Sequence, residues 1–146
     1  MNMGAAGPFR SFLLYWVPVI VYAALIFVVS AQPHPERLFP SFLEQLGDKF
    51  LHVVEYGVLA VLCYRAFRHA WYGRGAPTAL VLAIVVATVY GISDEVHQAF
   101  VPSRTTDPWD VIADLAGACL GGWLWFLGKT WRSRPIKAYE RKHRRV

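Results

Sequence analysis

Ionisable side chains stand inside stretches of this sequence that are otherwise apolar, where charge is expensive to bury and by default indicates function. Asp48, His52 and Glu55 follow one another at i, i+4 and i+7, so a helix places all three within about 60° of arc. Asp94 and Glu95 stand near the end of another apolar stretch. Carboxylates beside an imidazole are suited to acid/base chemistry and to binding a hard cation.

A further apolar stretch carries Asp110 and Asp114 in register with two glycines, Gly117 and Gly121. Glycines at i and i+4 are typical of a surface that lets two membrane helices approach closely. Since the aspartates continue the same helical face, we expect both to point into a bundle and away from lipid. Arg104 precedes this stretch, and a guanidinium can grip a phosphate or a carboxylate through two hydrogen bonds.

The composition excludes an ordinary soluble domain. Of the 146 residues, 55% are hydrophobic and 17% are charged, whereas soluble domains carry about 25% charged residues. A helix needs about 20 mostly apolar residues to cross the hydrocarbon of a bilayer. The predicted spans are residues 11–31, 48–70, 77–98 and 110–128. We therefore predict an all-α fold, a four-helix transmembrane bundle in a multi-pass protein of the cell membrane.

The basic residues predict which end of the bundle faces the cytoplasm, because cytoplasmic loops carry an excess of Lys and Arg. With both termini inside, all 15 Lys and Arg except Arg37, Lys49 and Arg104 lie on the cytoplasmic side. Of the ten acidic residues, all but Glu55 and Glu140 lie at the other side. The prediction is an N-in, C-in chain with a cytoplasmic N-terminus (1–10), a transmembrane domain (11–128) and a basic cytoplasmic tail (129–146).

The basic tail directly follows the last predicted span. A run of Lys and Arg in that place typically binds anionic lipid headgroups. We therefore predict that the partners of this chain are the lipid bilayer and anionic headgroups at the tail, together with a lipid-linked or phosphorylated envelope substrate at the polar residues, and no nucleic acid.

In this topology the polar ends of the second and third helices meet the start of the fourth at the extracytoplasmic side. We expect one polar cluster there, in which His52 and Glu95 are acid/base groups and Asp48 orients His52. The predicted substrate-binding residues are Lys49, Tyr56, Gln98, Arg104, Asp110 and Asp114. A divalent metal ion is a candidate cofactor. Its candidate ligands are Asp48, His52, Glu95 and Asp110.

Purely structural roles stay open for individual members of this cluster. Lys49 can extend to the membrane interface without a partner, and Glu55 can be a neutral buried carboxyl group. Asp107 or Asp110 can cap the fourth helix by accepting hydrogen bonds from its first backbone N–H groups.

The polar residues and their spacings resemble the motifs of the VanZ-like integral membrane proteins. The matching positions are Asp48-Lys49-x-x-His52-x-x-x-Tyr56, Gly91-x-x-Asp94-Glu95-x-His97-Gln98-x-Phe100-Val101-Pro102-x-Arg104, and Asp110 with Gly117 and Gly121. The resemblance covers about residues 12–125. Two positions depart from the family pattern, because Asp114 stands where the family often has asparagine and Ser103 where a glycine often precedes the arginine.

The resemblance implies a role in the bacterial cell envelope, since the family takes its name from a protein associated with low-level resistance to the glycopeptide antibiotic teicoplanin. It does not imply a reaction. One hypothesis is an enzyme that modifies a lipid or a lipid-linked glycan at the outer leaflet of the inner membrane. A second is a non-catalytic module that binds a lipid headgroup, an antibiotic or a membrane partner. A proton or ion conduit is disfavoured, because no polar residues continue inward from Glu55.

Overall fold

A computed structural model of the chain describes residues 8–33, 47–70 and 75–143, with side chains to residue 130. Within these ranges it contains α-helices and no strand. The helices are α1 (Pro8–Ser30), α2 (Asp48–Ala70), α3 (Ala76–Gln98) and α4 (Pro108–His143). Each contains a segment that is long and apolar enough to cross a membrane. The all-α, four-helix prediction is confirmed, and the N-in, C-in orientation stays a prediction.

The observed helix boundaries agree closely with the predicted ones, except at the start of the first helix and the end of the last. The bounds of α2 are as predicted, and α3 begins at Ala76, one residue early. The first helix begins at Pro8, three residues before the predicted start. The last helix continues to His143, well past the predicted end at residue 128. Hydropathy locates the edge of an apolar run, and a helix can continue as a polar helix beyond it.

Helix α2 is the centre of the bundle, because it packs against each of the other three helices, most extensively against α4. Its core face buries Tyr56, Leu59, Ala60 and Cys63. Helix α1 packs mainly against α2. Many branched aliphatic side chains on the outside of the helices are exposed, as at Val85, which is 50% exposed. An apolar surface of this kind is suited to contact with the hydrocarbon of a bilayer.

Helices α2 and α4 approach each other closely along the α2–α4 seam, the line along which these two helices touch. A Cβ atom at Gly117 would overlap the backbone carbonyl of Val53, and one at Gly121 would lie 2.7 Å from the carbonyl carbon of Gly57. A Cβ atom at Gly57 would lie 3.2 Å from the carbonyl oxygen of Gly117. The prediction that the two glycines of α4 form a close-packing surface is confirmed.

Candidate functional site

The α2–α4 seam is polar at the end where both helices begin, and α3 ends beside it. We call this region the polar end of the bundle. Nδ1 of His52 lies 2.8 Å from a carboxylate oxygen of Asp114, and both side chains are buried. A carboxylate can only accept a hydrogen bond, so Nδ1 is the donor. In the neutral ring, Nε2 then carries a lone pair.

The hydrogen bond of His52 is made to Asp114 and not to Asp48, the residue expected to orient it. Asp48 shares the helical stripe of His52 but is the first residue of α2, and its side chain is 66% exposed. Asp114 is only 1% exposed and reaches His52 from the facing helix. The reason is the glycine contact at Gly117, less than one helical turn further along α4, which brings the two backbones together beside the imidazole.

Lys49 joins the start of α2 to the start of α4. Its ammonium donates hydrogen bonds to Oδ2 of Asp107, at 2.6 Å, and to Oδ1 of Asp110. Oδ2 of Asp48 lies 3.9 Å from the same nitrogen. The carboxylate of Asp110 is buried, so Lys49 supplies the counter-charge that its burial demands. Lys49 is therefore a partnered residue rather than one that only extends to the interface.

Asp107 is the N-cap of α4. Its side chain accepts a hydrogen bond from the backbone N–H of Trp109, at 2.9 Å, and its carbonyl accepts one from that of Asp110. The hydrogen bond from Lys49, followed by the one from Trp109, lowers the pKa of the Asp107 carboxyl group below its ordinary value. Of the two candidate caps, Asp107 takes this role, which leaves the Asp110 carboxylate to Lys49.

The end of α3 contributes two buried acidic residues, which accept hydrogen bonds from different partners. Asp94 accepts a 2.8 Å hydrogen bond from the amide of Gln98, its i+4 neighbour. Oε2 of Glu95 accepts the backbone N–H of Asp107 at 3.1 Å and so ties α3 to the cap of α4. The second carboxylate oxygen of Glu95, Oε1, is buried without a hydrogen-bond partner among the described residues.

Several buried polar atoms of the polar end share this unpartnered state. A native protein rarely leaves such atoms unpaired unless water or a ligand reaches them. Among the residues described they include Tyr56 OH, Glu95 Oε1, His97 Nε2, Arg104 Nε and Asp114 Oδ2. The set contains both hydrogen-bond donors and acceptors.

Three of the four candidate metal ligands come together. Asp48, His52 and Asp110 each offer an atom within 4.8 Å of the others. Glu95 is outside this group, and one of its oxygens serves the backbone of Asp107. Lys49 is already bonded to Asp110, so a divalent cation there would meet the repulsion of an ammonium group at short range. The trio could hold a metal ion only if Lys49 moved away.

The remaining predicted residues lie around this centre. Tyr56 lies one turn below His52, its ring parallel to the imidazole at a centroid distance of 6.3 Å. Arg104 lies in the loop between α3 and α4, and no hydrogen bond of its side chain to the other predicted site residues is seen among the described residues. The residue before it, Ser103, has φ of 66°. That left-handed backbone favours glycine, which explains in physical terms the glycine of the resembled pattern.

Sequence reasoning missed Asp107 as a site residue, because it treated this aspartate only as a candidate cap. Its position before Pro108 indicated the cap. The bond to Lys49 spans 58 positions of the chain, and no local spacing predicts such a contact.

A comparison with protein families agrees with the motifs. The model of one family, described as VanZ/LLP1, matches residues 7–129, which include all four predicted spans. In comparisons with curated proteins and with solved structures, nothing matches this chain. The functional argument therefore depends on the geometry of the polar end.

Proposed function

This chain belongs to the VanZ/LLP1 family and is a multi-pass membrane protein, and we propose that it is a membrane-embedded enzyme. Its substrate is a lipid or a lipid-linked glycan of the cell envelope, processed at the outer leaflet of the cell membrane. The observation that carries this proposal is the buried hydrogen bond between His52 and Asp114. An imidazole held by a carboxylate is the usual arrangement of a general base.

In this proposal Nε2 of His52 removes a proton from a hydroxyl group or a water molecule that attacks the substrate. Asp114 holds the imidazole in the tautomer with its proton on Nδ1 and stabilises the imidazolium that forms. The unpartnered Oε1 of Glu95 is the second acid/base group and delivers a proton to the leaving oxygen. Asp48, which is exposed at the start of α2, has no direct contact with His52 in this scheme.

In the proposal, the substrate is bound by buried polar groups that have no hydrogen-bond partner among the described residues. The Nε–H of Arg104 is suited to a phosphate or carboxylate oxygen, and the hydroxyl of Tyr56 is a further donor. Lys49 and Asp110 position the start of α4, and Gln98 holds Asp94. Anionic headgroups at the basic tail, residues 129–146, are the proposed partners on the opposite face.

The test compares lipid extracts by mass spectrometry from cells that express the wild type, His52→Ala or no protein. We expect a lipid or glycan species that depends on the wild type and is lost with His52→Ala. His69→Ala is the matched control, because His69 is an exposed histidine near the other end of the same helix. It should leave the species unchanged, and all variants should accumulate to the same level.

Identical lipid profiles for wild type and empty vector would contradict an enzymatic role. Headgroup binding that depends on His52 but yields no covalent product would instead support the non-catalytic module. The proposal includes an effect on glycopeptide tolerance, which depends on the family resemblance alone. Growth of the same strains with teicoplanin tests it separately.

A further inference from the structure

An apolar groove follows the α2–α4 seam on the outer surface of the bundle. Its α2 wall includes Val53, Val58 and Leu62, and its α4 wall includes Leu120 and Trp125. Among the described residues, no ionisable side chain lines it. The groove exists because the seam is built on glycines, which contribute no side chain to fill the space between the flanking valines and leucines.

The upper end of the groove adjoins the polar end of the bundle. Val53 directly follows His52 and lies one turn from Lys49 on the same helix. On the facing helix, Gly117 lies three residues after Asp114. A molecule in the groove therefore ends at the depth of the polar end, where the first residues of α2 and α4 lie.

The groove has the length of one membrane leaflet. From Val53 to Leu62 the helix rises about 14 Å, at 1.5 Å per residue. The hydrocarbon of a bilayer is about 30 Å thick, so one leaflet supplies about half of that depth. Both walls lie within segments able to span a membrane, so the groove opens onto hydrocarbon.

We propose that this groove binds one hydrocarbon chain of a membrane lipid whose headgroup lies at the polar end. This inference rests on the proposed function in one respect, because it makes that lipid the substrate. The chain in the groove would then fix the depth of the headgroup at the starts of α2 and α4, where the side chain of Lys49 is half-exposed.

A hydrocarbon chain fits the groove better than a helix from a second copy. Membrane helices associate through close backbone contact at small residues and through polar side chains that bond across the interface. The glycines of this groove already pack against the backbone of the facing helix within the same chain, as Gly121 packs against Gly57. They are therefore not free for close contact with a helix of a second copy. The exposed walls at Val54, Val58 and Leu120 are 48%, 40% and 56% exposed and purely aliphatic. They offer dispersion contacts to a flexible chain and no hydrogen bond to a helix.

The test uses the full chain in vesicles of phosphatidylethanolamine and phosphatidylglycerol. The probe is phosphatidylglycerol with a photoreactive diazirine at the end of one acyl chain, and labelled residues are mapped by mass spectrometry. We expect labels concentrated near Leu62 and Trp125, above the background on other exposed positions. Val58→Trp fills the groove and should lower this labelling roughly tenfold, an affinity change of about 1.4 kcal/mol.

Val85→Trp is the matched control, because Val85 is a half-exposed valine of α3 that does not line the groove. It should leave the labelling unchanged. Val54→Trp is a second groove variant in case Val58→Trp does not fold. Even labelling of all exposed helices, or unchanged labelling in both groove variants, would overturn the inference. So would a groove variant that turns a dimer into monomers while lipid labelling persists.

The same experiment separates the groove from the proposed reaction. His52→Ala removes the base but no wall of the groove, so it should label like the wild type. Groove labelling without any product that depends on His52 would leave the lipid site standing and would contradict only the enzymatic proposal.

Discussion

The two halves of the α2–α4 seam hold the same pair of helices together by opposite means. In the polar half, Lys49 pairs with Asp110 and His52 with Asp114, so contact is made through long side chains. In the glycine half, Gly57 and Gly121 bring the backbones together without side chains. The glycine contacts fix how closely the two backbones approach, whereas the polar contacts are made between ionisable side chains. The two kinds of contact are therefore separated along the length of the seam.

Asp114→Asn gives the largest expected effect, and it is confined to the polar half. The amide keeps the size of the carboxylate but can present its NH₂ group to Nδ1 of His52, which favours the wrong tautomer. We expect turnover of the envelope lipid to fall roughly 100-fold or more, with little change in folding. The measurement is product formed per mole of protein in vesicles.

Asp94→Asn is the control for that substitution. Its carbonyl oxygen can still accept the hydrogen bond of Gln98, so turnover should stay within a few-fold of wild type. Equal losses in both variants would indicate general damage to the polar half rather than a role of Asp114 toward His52.

Gly117→Ala should produce the largest effect in the glycine half. A Cβ atom there would overlap the carbonyl of Val53, so the helices must separate, at a cost of about 1–3 kcal/mol in the free energy of unfolding. Denaturant titration in detergent micelles measures it. Gly128→Ala is the matched control on the same helix, because no atom lies within 4 Å of its Cβ position. It should be neutral or stabilising by up to about 1 kcal/mol. Destabilisation of the same size in both would contradict the close contact.

Lys49→Met tests whether the polar half also holds the helices together. It leaves the buried Asp110 without its counter-ion, which we expect to destabilise the chain by about 1–3 kcal/mol. The double variant Lys49→Met/Asp110→Asn removes the stranded charge and should recover much of that loss. Additive losses in this double-mutant cycle would show that the two side chains do not interact.

The smallest expected effect is the pH dependence of the α4 cap. Because folding lowers the pKa of Asp107, its contribution to stability is complete above the ordinary aspartate pKa of about 4 and disappears as pH falls through the lower, folded value. Asp107→Asn should flatten the part of the stability curve that lies below about pH 4. Thermal unfolding across this range measures it, and an unchanged slope in the variant would argue against the cap as its source.

The sequence predicted the elements of this molecule better than their partners. The apolar runs located all four helices, and the spacing of Gly117 and Gly121 located the packing face. Local spacing placed Asp48 beside His52, and the two side chains do offer atoms within 4.8 Å of each other. The hydrogen bond of His52, however, is made to Asp114, 62 positions away. Which side chains meet across two helices depends on the register and the crossing angle of those helices. The residue spacing within one helix predicts neither. For the same reason the bond between Asp107 and Lys49 had no local signal, although the capping role of Asp107 did.

The glycine contacts make the position of Asp114 sensitive to any shift of α4 along α2. If α4 slid along α2 by one residue while keeping the same contact line, it would move about 1.5 Å and turn about 100°. That rotation would carry the carboxylate away from the imidazole, although neither residue had changed. Residues that lack a side chain therefore set the accuracy with which a proton donor and its acceptor face each other.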